Sequence, residues 1–289
     1  MKTRRRMLLI ILCLVIGCTI IFISGCATTD PRKTVDPTKI TTDEVKIKTG
    51  RKDITVKLEI YEPKYLQTAK GIILMFGGTG GSIKPSNFHV REIDRFVELG
   101  YIAVLQDKPS NFWNQPFEFR WSKEHQADIT KVISYLKDRY NKKSLFLLGY
   151  SEGVWSPAPY HLFHYDTSDV SGIILMGGIY LNAIQSGQIN LFIKMPYPVL
   201  IVKHEDDRAP DGGGSGFSSN TQYYEMLEAR GRKDLFIVKG GIAAGSIGPL
   251  DPYGPHGFGG KEKEVVKAVV EWMDGTNGMD AKEVKRIIK

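Results

Sequence analysis

Six short stretches of this chain are apolar almost from end to end, and no other feature restricts its fold so severely. They are "GIILMF" (Gly71 to Phe76), "YIAVLQ" (Tyr101 to Gln106), "SLFLLG" (Ser144 to Gly149), "GIILMG" (Gly172 to Gly177), "PVLIVK" (Pro198 to Lys203) and "LFIVKG" (Leu235 to Gly240). A strand with one wet face alternates apolar and polar side chains. Runs without alternation therefore read as strands covered on both faces, the situation of a parallel sheet. Between them lie segments with helical spacing, "NFHVREIDRFVELG", "SKEHQADITKVISYLKDRY" and "SNTQYYEMLEARG", and "KEKEVVKAVVEWMDG" follows the last run. In the second segment Ile129, Val132, Ile133 and Leu136 form an amphipathic stripe. Two alternating segments, "EVKIKTG" and "ITVKLEIYEP", precede the first run and read as antiparallel strands. The expectation is an α/β chain: a doubly wound, mostly parallel sheet of about eight strands, with no internal repeat and no second domain. Hydrophobic residues at 42% and charged residues at 25% supply the core that such a sheet needs.

The first 26 residues read differently. Lys2, Arg4, Arg5 and Arg6 precede an apolar run from Met7 to Ser24, the layout of an export signal. The run closes on Ile23-Ser24-Gly25-Cys26, which resembles the bacterial lipoprotein signal, in which a cysteine after small residues is lipidated and becomes the new N-terminus. Gly17-Cys18 repeats the pattern, but cleavage there would leave apolar residues as far as Ile23, so Cys26 is the expected lipidation site. The competing reading is an uncleaved membrane anchor, because about 18 apolar residues reach the lower limit for crossing a bilayer. Both readings put the rest of the chain outside the cytoplasm, in the cell envelope and tethered to membrane; by resemblance to enterobacterial sorting rules, Ala27 after the cysteine favours an outer membrane. The expected organisation is a signal at 1–26, a tether at 27–42, the main domain at 43–275, and a polar tail or short helix at 276–289. Cys13, Cys18 and Cys26 are the chain's three cysteines, so its body carries neither disulfide nor thiol nucleophile. Loss of the leader leaves 35 basic against 32 acidic residues, a net charge of +3 instead of +7, too mild a balance to imply nucleic acid as a partner.

In doubly wound sheets, ligands bind beyond the carboxyl ends of the strands. Gly149-Tyr150-Ser151-Glu152-Gly153 lies at such an end and has the form of a nucleophile elbow, a sharp turn that lifts a serine hydroxyl above the sheet. "MFGGTGGS" follows the first run; its glycines Gly77 to Gly81 suit a loop that offers a backbone N–H to a developing oxyanion. Gly78 and Glu152 are the candidate donors. The rival reading, a phosphate cradle, fails on spacing, since neither Gly-x-x-x-x-Gly-Lys-Ser/Thr nor Gly-x-Gly-x-x-Gly is present. A serine needs a histidine to take its proton, and the histidine needs a carboxylate to hold its tautomer. Asp206 and Asp207 follow one buried run directly, and His256 lies in the loop "DPYGPHGFGG" after the last.

With these three pieces in the order Ser, Asp, His, the chain from about Ile54 to Trp272 resembles the α/β-hydrolase superfamily. The resemblance implies a serine hydrolase with Ser151 as nucleophile, Asp207 as acid and His256 as base, an oxyanion hole from Gly78 and Glu152, and neither cofactor nor metal. Asp207 takes the family's usual place in Lys203-His204-Glu205-Asp206-Asp207, where His204 stands for the usual glycine; Asp206 is the fallback. Carboxylic esters are the first expected substrates. A peptidase or amidase of the same fold, or a non-catalytic envelope protein that keeps it, stays open. Oligomeric state is not encoded in these motifs.

Other residues are read more plainly. Pro157 and Pro159 predict a short or kinked helix after the elbow. Glu152 is either a solvated first-turn residue or a charge that disfavours anionic substrates. His89, His125, His161, His164 and His204 read as surface or packing residues. Asp107 follows a strand and suits either a turn or a substrate contact. The aromatic segment Asn111 to Trp121 suits either the wall of a pocket or core packing, Ile179 to Pro198 a small lid, and Asp211 to Asn220 a flexible loop.

Overall fold

Every one of the six apolar runs forms or overlaps a strand. A computed structural model describes residues 40–289 except 50, 52, 79–82, 113–116, 165–168, 181–182, 185–186, 210–215, 230, 243–247, 249 and 277–283. The leader, Cys26 and the tether up to residue 39 lie outside the described residues, as do Thr79 to Gly81 of the glycine loop and Asp211 to Ser215; the rest of the stretch expected as a flexible loop, Gly216 to Asn220, is instead the start of a helix. The strands are β1 (Ile40–Lys48), β2 (Thr55–Pro63), β3 (Gly71–Phe76), β4 (Tyr101–Gln106), β5 (Leu145–Tyr150), β6 (Gly172–Met176), β7 (Lys194–Met195), β8 (Val199–His204), β9 (Glu228–Ala229), β10 (Lys233–Val238) and β11 (Val284–Ile288). Nine of them form one sheet in the order β1-β2-β4-β3-β5-β6-β8-β10-β11. β1 and β4 both flank β2 antiparallel, and the remaining pairs are parallel. The short β7 and β9 pair separately.

Two expectations about boundaries need correction. The tail was expected to be polar or helical, but Val284 to Ile288 adds a ninth strand, parallel to β10. Backbone pairing at an open sheet edge, with Ile288 buried, holds it there. At the other end, β1 begins at Ile40, inside the stretch assigned to the tether, because the β1–β2 ladder continues to the pair Ile40 with Pro63.

The helices are α1 (Phe88–Arg91), α2 (Ile93–Glu98), α3 (Lys123–Arg139), α4 (Gly216–Met226) and α5 (Glu262–Thr276). Although the strands lack polar alternation, their side chains still divide by period two. Ile72, Leu74, Phe76, Leu145 and Leu147 enter one core, with the α3 stripe Ile129, Val132, Ile133 and Leu136. Ile73, Met75, Phe146 and Leu148 enter the other, with Phe88, Ile93 and Phe96 of α1 and α2 and Val265, Val269 and Trp272 of α5. Helices thus cover both faces, as a doubly wound sheet requires. The α3 start is capped by Ser122, whose Oγ accepts from the His125 N–H at 3.1 Å. After β5 the two prolines break the expected helix more thoroughly than a kink would: the chain makes 3-10 turns at Ser151–Trp155 and Tyr160–Leu162.

Candidate active site

The carboxyl ends of four strands bring the sequence candidates together. Gly78 follows β3, Ser151 follows β5, Asp207 follows β8 and His256 lies beyond β10. At the elbow, Ser151 has φ 56°, a left-handed conformation that costs a non-glycine residue about 1–3 kcal/mol unless its surroundings impose it. The surroundings do so by close packing. A Cβ on Gly149 would lie 2.5 Å from Val154 Cα, and one on Gly153 would strike the carbonyl oxygen of Phe76. Only glycine fits at either position.

His256 Nε2 lies 3.0 Å from Ser151 Oγ, and His256 Nδ1 lies 3.0 Å from Asp207 Oδ2. The carboxylate accepts further bonds from Lys203 Nζ at 2.7 Å and from the Ala209 N–H at 2.9 Å. Burial alone would push the Asp207 carboxyl up; the Lys203 ammonium, then His256, outweigh it and hold the group well below the usual carboxylate range. Asp206 is placed otherwise: its N–H donates to His204 Nδ1 at 3.1 Å, while His204 Nε2 lies 2.7 Å from the Gly240 carbonyl.

The histidine loop is fixed from three directions. Arg91 donates to the carbonyls of Pro252 and, at 3.0 Å, Gly257; the Tyr150 hydroxyl donates to the His256 carbonyl at 3.3 Å. Phe258, left-handed at φ 59°, is buried edge-on against Phe88 with ring centroids 5.1 Å apart.

Gly78 passes directly over the serine. A Cβ there would lie 2.9 Å from Ser151 Cβ, 3.1 Å from Oγ and 3.4 Å from the Glu152 nitrogen, so its backbone and that of Glu152 flank the hydroxyl. Behind Gly78 sits a buried polar cluster that sequence reading missed. Arg120, 5% exposed, donates to the Gly78 carbonyl at 3.2 Å and to Ser156 Oγ at 3.3 Å. His125 Nε2 lies 3.1 Å from the same hydroxyl, and Gln126 Nε2 donates to the carbonyls of Arg120 and Ser156 at 3.0 and 3.1 Å. Burial pushes the Arg120 guanidinium down to about 10, although Glu152 opposes the shift. Burial, Arg120 and Arg51 push His125 down to about 3, so its imidazole is neutral at ordinary pH.

The remaining candidates are placed as follows. His161 Nδ1 lies 3.2 Å from the Ala158 carbonyl, and His164 stacks on Tyr160 and contacts Thr130 Oγ1, so each has a local partner. His89 is buried 5.9 Å from the Tyr150 ring. Of the aromatic segment, Trp121 packs on Trp155 and Phe192, and Phe112 borders a small cavity with Gly77 and Arg120. Part of the stretch proposed as a lid forms a 3-10 turn at Gln188–Leu191 and then β7.

No family model matches the chain, and no curated protein sequence matches it. Solved structures do resemble it. An esterase from Pyrobaculum calidifontis superposes with a TM-score of 0.59 and 14% identity, over 82% of this chain and 85% of its own. A dienelactone hydrolase from Anabaena variabilis does so with a TM-score of 0.55 and 14% identity, over 82% and 98%. For an alpha-beta serine hydrolase homologue from Coxiella burnetii the values are 0.56 and 18%, over 79% and 96%. The chain therefore has the α/β-hydrolase fold.

Proposed function

We propose that the chain is a serine hydrolase that cleaves carboxylic esters through an acyl-enzyme. The observation that carries this reading is the hydrogen-bonded line from Ser151 through His256 to Asp207. His256 takes the Ser151 proton as Oγ attacks the ester carbonyl, and the Gly78 and Glu152 N–H groups receive the oxyanion. Collapse of the tetrahedral intermediate breaks the C–O bond and releases the alcohol with the proton from His256. Water, deprotonated by the same imidazole, then attacks the acyl-enzyme and frees the acid and Ser151. Asp207 remains ionised throughout, holding the Nδ1 proton and stabilising the imidazolium. The names of the structural neighbours, esterases and a dienelactone hydrolase, agree with esters as the first substrates to try.

The test is labelling with a fluorescent fluorophosphonate. The native protein is expected to be labelled and Ser151→Ala to remain unlabelled. Absence of label on a folded native protein would instead favour a non-catalytic envelope protein with this fold. The proposed setting is the cell envelope, with the chain cut before Cys26 and lipidated there. Radiolabelled palmitate should be incorporated by the native chain in a bacterial host and lost in Cys26→Ser. Equal incorporation by both would refute lipidation at that residue.

A further inference from the structure

Past the carboxyl end of β4, a cleft of about 500 Å³ is walled by Lys46, Lys57, Lys84 and Lys108, with one carboxylate, Asp107, among them. Isolated surface lysines are ordinary. Here they converge on a concavity at a cost to the fold. Lys46 and Lys57 stand directly opposite each other in the β1–β2 ladder, where like charges repel. Lys57 is partly offset by Glu59 at 3.3 Å. Burial, and then Arg120, depress Lys108 below the usual lysine range, with Asp107 and Glu152 opposing.

The cleft adjoins a smaller cavity at the glycine loop. Asp107, Lys108 and Pro109 also border the small cavity shared with Gly77, Arg120 and His125. Gly77 immediately precedes the residue that overlies Ser151 Oγ. At this inner end both amide atoms of Gln106, Arg120 Nε and His125 Nδ1 are buried without a hydrogen-bond partner among the described residues. Native proteins seldom bury polar atoms in that state without a function or a bound group to account for it. The charge of Glu152 does not reverse the sign of the region, because Lys108 and Arg120 both lie within its field.

We infer that this cleft binds an anionic group of the substrate, a carboxylate or a phosphate, while the scissile carbonyl lies at Ser151. The inference rests on the hydrolase reading above. It names the substrate class as esters that carry a negative charge away from the reacting carbonyl. A concave cluster of cations raises the local concentration of such a substrate and speeds its capture.

The experiment compares kcat/KM for p-nitrophenyl butyrate with that for mono-p-nitrophenyl glutarate, and for phenyl acetate with those for 4-acetoxybenzoate and 4-acetoxyphenyl phosphate. The native protein is expected to favour at least one anionic ester over its neutral counterpart by about tenfold or more at low salt. That preference should shrink as salt rises from about 20 mM to about 500 mM. It should also fall at least about fivefold in the Lys46→Gln/Lys84→Gln double variant. Lys267→Gln, a charge-matched change on the exposed face of α5, should leave it intact. In parallel, calorimetric binding of monomethyl glutarate and of phosphate to Ser151→Ala should weaken with salt and in the added lysine variant. This arm does not depend on turnover. Equal or better use of neutral esters, or a preference that survives the double variant, would overturn the inference while leaving the hydrolase reading intact. Failure of fluorophosphonate labelling alongside salt-sensitive anion binding would do the reverse.

Discussion

The His256→Ala protein is expected to hydrolyse p-nitrophenyl acetate with a kcat about 10⁶-fold below that of the native protein. The reason is geometric. His256 Nε2, at 3.0 Å, is the base positioned to take the Ser151 proton, and a neutral hydroxyl is a poor nucleophile. The groups act as a unit, so the double variant Ser151→Ala/His256→Ala should be scarcely slower than either single one. Residual turnover would come from binding and the Gly78 and Glu152 amides alone. A His256→Ala protein that retained more than about a tenth of native kcat would show that another group activates the serine.

Lys203→Met should have the largest effect on stability. Lys203 and Asp207 are each 1% exposed, and breaking a buried pair by removing one member leaves an uncompensated charge, typically at a cost of about 3–5 kcal/mol. Because His256 and the Ala209 N–H still serve the carboxylate, the lower figure is expected, a fall in Tm of roughly 6–12 °C. The pH dependence identifies the cause. Asp207 is depressed in the folded protein, so its contribution is fully present above the unfolded value of about 3.9 and is lost as pH falls through the folded value. Without Lys203 the depression is smaller, and less stability is linked to ionisation of this group. Thermal melts should therefore show the widest gap between native and variant near neutral pH, narrowing as the pH drops below about 4. A gap that stayed constant across that range would mean that Lys203 acts through packing rather than charge.

Much of this architecture was legible because a parallel sheet needs strands that are apolar on both faces, and few other structures use six such runs. The edge was not legible. β11 reads "VKRII", with Lys285, Arg286 and Ile287 exposed, so it lacks the uniform burial that exposes the inner strands to sequence reading. "NFHVREIDRFVELG" carries one helical period, yet the chain leaves helical geometry at Glu92 (φ −103°, ψ 10°) and makes two short helices. At the site, Ser151, Asp207 and His256 could be named because each follows a strand within a glycine-rich or acidic motif. Lys203 left a fainter signal, a cation ending an apolar run four residues before the acid. Arg120, Gln126 and Ser156 left none. Their partnership joins residues up to 36 apart on three separate elements, and no local spacing encodes it.

Pro157 and Pro159 change the source of the electric field at the reacting oxygen. A regular helix rising from Ser151 would align its peptide planes and present about half a unit of positive charge at its start. The 3-10 turns here are too short to sum to such a dipole. An enduring source of positive potential behind the glycine loop is instead a single guanidinium, that of Arg120, which donates to the Gly78 carbonyl. A field set by one side chain can be strengthened, weakened or reversed by one codon change, whereas a helix dipole changes only when the helix itself is rebuilt.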